Sequence, residues 1–157
     1  MDACATASSP PKAKPLIIVE PNPRLHGTSI YADAAWNQSS GHAGLGWIID
    51  DRVSPRLFTA TSLFVASPLV AESLAVLSAI TSALALSLDS ITIFCDSQVL
   101  INTINKKEMK LEIFNALRDI YSLSASFNFI DFKFIPRSSN NSADLLAKQA
   151  LWALSPP

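Results

Sequence analysis

The distribution of apolar positions in the first half of the chain predicts three strands joined by short turns. The strands are expected over Thr28–Trp36, Ala43–Ile49 and Arg56–Val65, which are rich in β-branched and aromatic residues. The segments 37–41 and 50–55 between them contain Asn, Gly, Asp and Pro, which are typical of turns. Two tight connections between three strands indicate an antiparallel meander.

After the third strand the apolar positions follow a helical period. Ser67 and Pro68 are typical of a helix start, and the helix is predicted to run to about Leu88. The remaining predicted elements alternate between strand and helix: a buried strand at Ile91–Cys95, helices at Ser97–Ile104 and Leu111–Leu123, a strand at Phe127–Ile135, and a helix at Asn141–Leu154. This order predicts an α/β fold, in which helices pack on a mixed sheet.

Composition indicates one domain preceded by an arm. The chain has 157 residues, of which 49% are hydrophobic, and this suffices for one sizeable core. Residues 1–26 are rich in Pro, Ser and Ala and contain one apolar patch, Leu16–Val19. We therefore expect a flexible N-terminal arm over residues 1–26 and a folded domain over residues 27–154.

Charge and cysteine content exclude several classes of protein. The net charge of -1 argues against binding of nucleic acid by bulk positive charge, and two cysteines cannot form a disulfide scaffold. The uncharged stretch from Ser73 to Leu88 is shorter than the roughly 20 apolar residues of a membrane span, so we interpret it as a buried helix. We expect an intracellular protein without a membrane partner, located in either the nucleus or the cytoplasm.

Four carboxylates occupy notable places in this pattern: Asp33 inside the first strand, Glu72 in the first helix, Asp96 directly after the buried strand, and Asp144 in the last helix. Each has a structural alternative, since acids near helix starts complement the helix dipole and an Asp after a strand often caps a helix. Together they suggest a shared crevice at one sheet edge. Carboxylates gathered there repel each other, and divalent cations such as Mg²⁺ remove that repulsion.

The motifs carrying these acids resemble the type 1 ribonuclease H domain, in the reverse-transcriptase-like form of plant retroelement-derived proteins. The resemblance covers about Ser29 to Leu154. Its motifs are Tyr31–Trp36, Ala43–Trp47, Ala71–Ala75, Phe94–Gln98, Ile135–Asn140 and Ala143–Lys148. It implies a ribonuclease H-like fold, with a five-stranded mixed sheet and helices on both faces. It also implies an endonuclease that hydrolyses the RNA strand of RNA–DNA hybrids. We expect the domain to be monomeric.

The resemblance further implies two Mg²⁺ ions, for which Mn²⁺ would substitute. Asp33 would bridge both ions, and Glu72 and Asp96 would hold the ion on the leaving-group side. Asp144 would help to hold the ion that presents the attacking water. All four acids are thus candidate catalytic and metal-binding residues.

Further residues are implied to contact the substrate. Ala34 and Ala35 stand where many members have Gly-Ser after the first Asp, and Trp36 follows them. Trp36 could stack on a sugar or base, or lie half-buried at the sheet edge. Ser97 and Gln98 match a position that touches the RNA strand, although Ser97 could instead cap a helix.

Two later residues belong to the same group. Arg137 lies near the place of a His that this chain lacks, and Asn140 matches an Asn that faces the substrate backbone or acts as a helix N-cap. Two alternatives stay open, and the missing His and the Ala34-Ala35 pair support the first of them. The first is a catalytically weak or inactive retroelement-derived domain that binds nucleic acid. The second is a scaffold that binds proteins through Leu16–Val19.

Overall fold

A five-stranded mixed sheet forms the centre of the structure, which is a computed structural model describing residues 27–154. The expected arm over residues 1–26, with its apolar patch, lies outside the described residues. The strands are β1 (Thr28–Trp36), β2 (Ala43–Asp50), β3 (Arg56–Ser62), β4 (Ser90–Cys95) and β5 (Phe129–Phe134). The helices are α1 (Pro68–Ala85), α2 (Gln98–Asn105), α3 (Phe114–Ser124) and α4 (Asn141–Leu154).

The strand order β3-β2-β1-β4-β5 confirms the predicted mixed sheet. β1 pairs with β2, and β2 with β3, in antiparallel fashion, which is the expected meander. β4 pairs in parallel with both β1 and β5. The antiparallel half and the parallel half therefore meet at β1, which is the central strand.

Helices cover both faces of the sheet, as the resemblance implied. Trp47 of β2 points towards α1, where its indole N–H donates a hydrogen bond of 2.9 Å to Ser82 Oγ. Gly44 and Gly46 alternate with Trp47 along β2 and therefore face the opposite side. A Cβ atom at Gly46 would lie 2.7 Å from the Ala147 nitrogen of α4. The absence of side chains at these two glycines thus lets α4 approach the backbone of β2.

The longest helix, α1, is a core helix of the sheet. The Ser67 hydroxyl caps it by accepting a hydrogen bond from the Val70 N–H, and Pro68 stands in its first turn, as predicted. Its length and apolar composition would also allow it to cross a membrane. Core helices of soluble proteins have the same length and composition, so this is weak evidence for a membrane span. Its buried residues pack against β1, β2 and β4 and against α3: Ala71, Ser73, Ala75, Val76, Ala79, Ile80 and Ala83.

Left-handed residues shorten two of the predicted elements. The third strand ends at Ser62 rather than Val65, because Phe64 has a φ of 57° and cannot continue an extended strand. The first helix ends at Ala85 rather than near Leu88, and Ser87 has a φ of 60°. The predicted helix from Leu111 begins with a 3₁₀ turn over Leu111–Ile113. A second 3₁₀ turn, Arg137–Ser139, has no counterpart in the predictions.

Replacing Gly46 with Ala is expected to destabilise the protein by about 3 kcal/mol, because the new methyl group would overlap backbone atoms of α4. Gly41→Ala is the matched control. Its Cβ would meet no atom closer than 3.6 Å, and only its positive φ of 73° should lower stability, by about 1 kcal/mol. Urea denaturation of both variants measures the difference. Equal losses would contradict the close approach of α4 to β2.

Candidate functional site

The parallel pairing of β1 with β4 brings two carboxylates to the same end of the sheet. The pairing runs from Thr28 and Ile91 to Tyr31 and Phe94, whose rings stack with centroids 5.0 Å apart. Asp33 and Asp96 each lie two residues beyond this last pair. Their side chains therefore lie side by side just beyond the end of the parallel pairing, Asp33 still inside β1 and Asp96 directly after β4.

Glu72 completes a group of three acids from three different elements. It lies in α1, about one turn from the helix start. Asp33, Glu72 and Asp96 each offer a carboxylate oxygen, and these three oxygens lie within 4.8 Å of one another. Asp33 is buried at 4% exposure, opposite Gly46 of β2. We name these three residues the carboxylate cluster.

Burial and mutual repulsion strongly raise the pKa values of two members of the carboxylate cluster. Desolvation is the largest cause for Glu72, followed by the charges of Asp33 and Asp96, and together they raise its pKa to about 9. Desolvation and then the charge of Asp96 raise the pKa of Asp33 to about 7. The protonated form is therefore favoured more strongly at Glu72 than at Asp33. The cluster holds excess negative potential that a cation would neutralise.

The donor atoms of the carboxylate cluster suit a divalent cation. Glu72 Oε1 and Asp96 Oδ1 are buried and have no hydrogen-bond partner among the described residues. Buried carboxylate oxygens normally have a partner, since an unpaired polar atom away from water is unfavourable. Hard cations such as Mg²⁺ bind carboxylate oxygens and would satisfy both atoms. The residues present therefore fit a metal ion.

Asn140 is a buried positioning residue beside the cluster. Its side-chain amide donates hydrogen bonds to the carbonyl oxygen of Ala32, at 3.0 Å, and to Asp96 Oδ2, at 3.4 Å. The alternative of a side-chain helix cap is wrong, because Asn140 Oδ1 is buried without a partner. Only the backbone carbonyl of Asn140 accepts a helical hydrogen bond, from the Asp144 N–H. At 2% exposure, the side chain holds Asp96 relative to β1.

Asp144 lies near the carboxylate cluster but outside it. It stands in the first turn of α4 as predicted, and its charge contributes to the raised pKa of Asp33. Its carboxylate instead forms an ion pair with Lys148, at 2.9 Å. The i,i+4 spacing of Asp144 and Lys148 is a sequence signal for this ion pair.

The three residues after Asp33 differ in what they can contact. Ala34 pairs with Leu45 and packs against the core, and its N–H donates a hydrogen bond of 2.9 Å to Asp33 Oδ1. Ala35 pairs with Gly44 and so shares the face of Asp33. Trp36 is half-buried at the core margin, and its indole N–H donates to the Val65 carbonyl at 2.8 Å. Trp36 is therefore a half-buried aromatic residue of the sheet, which is the structural alternative to stacking on a sugar or base.

The remaining predicted contact residues lie around the cluster. Ser97 caps α2 by accepting a hydrogen bond from the Leu100 N–H, which confirms its structural alternative, and Gln98 is exposed. Arg137 is exposed in a 3₁₀ turn, and its positive charge lowers the pKa of Glu72 and so partly opposes the other effects. Gln98 and Arg137 therefore have side chains available to a ligand.

The chain resembles known proteins in both sequence and fold. The sequence profile of the reverse transcriptase-like family matches residues 31–150, which include all four predicted acids. EbsB of Enterococcus faecalis, whose name classes it as a hydrolase, is 29% identical over 131 residues. That alignment covers 81% of this chain and 96% of EbsB.

Solved structures share the fold at low sequence identity. Ribonuclease H1 from the archaeon Halobacterium salinarum has a TM-score of 0.68 and 23% identity, over 79% of this chain and 96% of its own. The N-terminal ribonuclease H domain of a Mycobacterium tuberculosis protein has a TM-score of 0.72 and 21% identity, over 80% and 98%. LC11 ribonuclease H1, solved with an RNA/DNA hybrid, has a TM-score of 0.72 and 23% identity, over 82% and 99%. The fold is therefore ribonuclease H-like, as the sequence predicted.

The raised pKa values predict that the metal-free protein loses stability as pH rises. Glu72 and Asp33 have reference pKa values of 4.5 and 3.8, against about 9 and about 7 in the fold. Between about pH 4 and 9 the folded state thus binds more protons than the unfolded state, so the free energy of unfolding falls across this range. Urea denaturation in chelator from pH 4 to 9 measures the slope. Glu72→Gln should flatten it, and Asp119→Asn, an acid of α3 outside the cluster, should not. An unchanged slope in Glu72→Gln would contradict the raised pKa of Glu72 in the folded state.

Replacing Asn140 with Ala should destabilise the protein by about 1–3 kcal/mol, because the buried Ala32 carbonyl would lose its hydrogen-bond partner. The same change should weaken the binding of Mn²⁺, since Asp96 would lose its support. Thermal denaturation and titration followed by electron paramagnetic resonance measure the two effects. Asn141→Ala, one residue further on and exposed, is the control. If Asn140→Ala bound Mn²⁺ with the affinity of the wild type, Asn140 would have no role in positioning Asp96.

Proposed function

The chain belongs to the reverse transcriptase-like family, and from this premise we propose that it is a metal-dependent endonuclease that hydrolyses the RNA strand of RNA–DNA hybrids. The proposal includes two divalent cations, Mg²⁺ in the natural reaction with Mn²⁺ as a substitute. Its main support is the carboxylate cluster, in which buried oxygens of Glu72 and Asp96 lack a partner. A purely structural cluster of this kind would be a source of instability.

The cations would activate a water molecule and stabilise the leaving oxygen of the phosphodiester. Asp33 would help to hold both cations, together with Glu72 and Asp96 of the cluster. Its Oδ1 also accepts the Ala34 N–H, which fixes the carboxylate relative to β1. Asn140 fixes Asp96 in the same way. These hydrogen bonds set the geometry of the oxygens before any ion arrives.

The proposal also requires Asp144 to act as a metal ligand. It would exchange its ion pair with Lys148 for contact with the ion that presents the attacking water. Its charge already acts on Asp33, whose pKa it helps to raise. Lys148 would then lose its ion pair with Asp144, and its ammonium group could pair with another negative charge at the edge of the site.

Exposed polar groups around the cluster are suited to hold the hybrid. Arg137 could pair with a phosphate, and Gln98 could donate to or accept from a sugar hydroxyl. Recognition of the RNA strand would depend on 2′-hydroxyl groups, since these distinguish it from DNA. LC11 ribonuclease H1, which shares the fold, was solved with an RNA/DNA hybrid, and this supports the same substrate class here.

A second candidate function is a domain that binds nucleic acid with little or no catalysis. The observation in its favour is the position of Asp144, which is paired with Lys148 rather than grouped with the other three acids. If that pair persists when cations bind, the water-presenting ion would lack a ligand. Cleavage assays separate the two candidates.

Asp96→Asn is expected to lower cleavage of a labelled RNA–DNA hybrid by at least about a hundredfold, because the ion on the leaving-group side would lose a charged ligand. Asn has nearly the same size as Asp, and its side-chain oxygen can still accept the hydrogen bond from Asn140, so the fold should persist. The assay compares Mg²⁺, Mn²⁺ and chelator, and it scores the RNA and DNA strands separately.

Asp119→Asn serves as the matched control, since it removes the same charge outside the cluster. Circular dichroism of both variants reports whether the fold is intact. Full activity of Asp96→Asn would exclude the proposed site. Binding of the hybrid by the wild type without cleavage in either metal would favour the second candidate.

A further inference from the structure

An apolar groove lies on the α4 side of the sheet, beside the free edge of the meander. Its floor and walls include Ile48 of β2, Leu57 of β3, Pro55 before β3, and Leu145 and Leu146 of α4. The groove has a volume of about 380 Å³. None of its lining residues is charged. This surface is distinct from the carboxylate cluster and takes no part in the proposed reaction.

The groove leaves large apolar side chains open to water. Leu57 is 61% exposed and Leu145 is 51% exposed, on opposite walls, and Val53 in the preceding turn is 88% exposed. β3 also forms an edge of the sheet, with backbone groups that no other described strand pairs. Grouped apolar side chains on a protein surface commonly mark a binding site.

We infer that the groove between β3 and α4 is the docking site of residues Leu16–Val19 of the same chain. These four consecutive residues, Leu-Ile-Ile-Val, form the one apolar patch of the first 26 residues. They carry no charge and would match the uncharged groove. Burial of this patch against Leu57 and Leu145 would remove apolar surface of both partners from water, which is favourable.

The sheet register places the start of the described chain within reach of the groove. Tyr31 pairs with Ile48, and Ile48 pairs with Leu57, so these three residues lie in one row across the sheet. Gly27 is four residues before Tyr31, about 13 Å along β1, and Leu57 is two strands away, about 10 Å across. The separation of Gly27 and Leu57 is therefore about 17 Å.

The linker between the patch and β1 is long enough for this distance. Residues 20–26 comprise seven positions, which can span at most about 23 Å when fully extended. The patch can therefore reach the groove of its own domain without any change in the sheet. The α4 wall of the groove also includes Ser142, two residues before Asp144. Docking would thus brace the helix turn that carries this acid.

Methyl resonances provide the first test, and the full chain is used throughout. Replacing Ile17 and Ile18 with Ser should shift the methyl signals of Leu57, Leu145 and Leu146, because their apolar neighbour would be lost. Replacing Pro10 and Pro11 with Ser changes the same number of residues in the same segment and should leave these signals unchanged. Unchanged signals in the Ile17→Ser, Ile18→Ser variant would overturn the inference.

Cross-linking tests the contact directly and identifies the occupant. In a Cys4→Ser background, Ile18→Cys combined with Gln149→Cys in the groove should form an intramolecular disulfide under mild oxidation. Ile18→Cys combined with Asn102→Cys, an exposed residue of α2, should not. A disulfide between two chains would overturn the inference and indicate a second copy in the groove. The absence of any disulfide would also overturn it. Neither test depends on cleavage of nucleic acid.

Discussion

The parallel pairing of β1 with β4 is the constraint on which the site depends. It brings Asp33 and Asp96 next to each other just beyond the point where the parallel pairing ends. Segments on the two faces then add the other groups, since α1 supplies Glu72 and the residue directly before α4 is Asn140. A shift of one residue in this register would turn the two aspartates to opposite faces.

The same arrangement makes the site electrostatically unfavourable without a cation. Burial and repulsion raise the pKa values of Asp33 and Glu72, so part of the negative charge is suppressed by bound protons. The neighbouring hydrogen bonds from Ala34 and Asn140 keep the oxygens in place despite this repulsion. The carboxylate cluster thus destabilises the fold locally, at a point where a divalent ion would bind. The buried apolar core stabilises the fold as a whole.

The close approach of α4 to β2 is the second feature that shapes the site. Gly44 and Gly46 allow the helix backbone to lie directly on the strand, which sets the position of its first turn relative to β1. That turn carries Asp144, paired with Lys148. Because Leu145 of the same helix lines the apolar groove, α4 connects Asp144, which lies near the carboxylate cluster, with the surface where we place residues 16–19. Packing on one side of this helix could therefore affect the acid on the other.

The sequence alone determined the order of the elements, the mixed sheet and the four candidate acids, because period, turn residues and motif order are local properties of the chain. The boundaries at Ser62 and Ala85 were set by the left-handed residues Phe64 and Ser87, which no local pattern marked. Tertiary structure also decided that Asn140 is buried and supports Asp96, and that Asp144 stands apart from the other three acids. These features depend on distances between segments far apart in the chain, and only the packing of helices on the sheet fixes them.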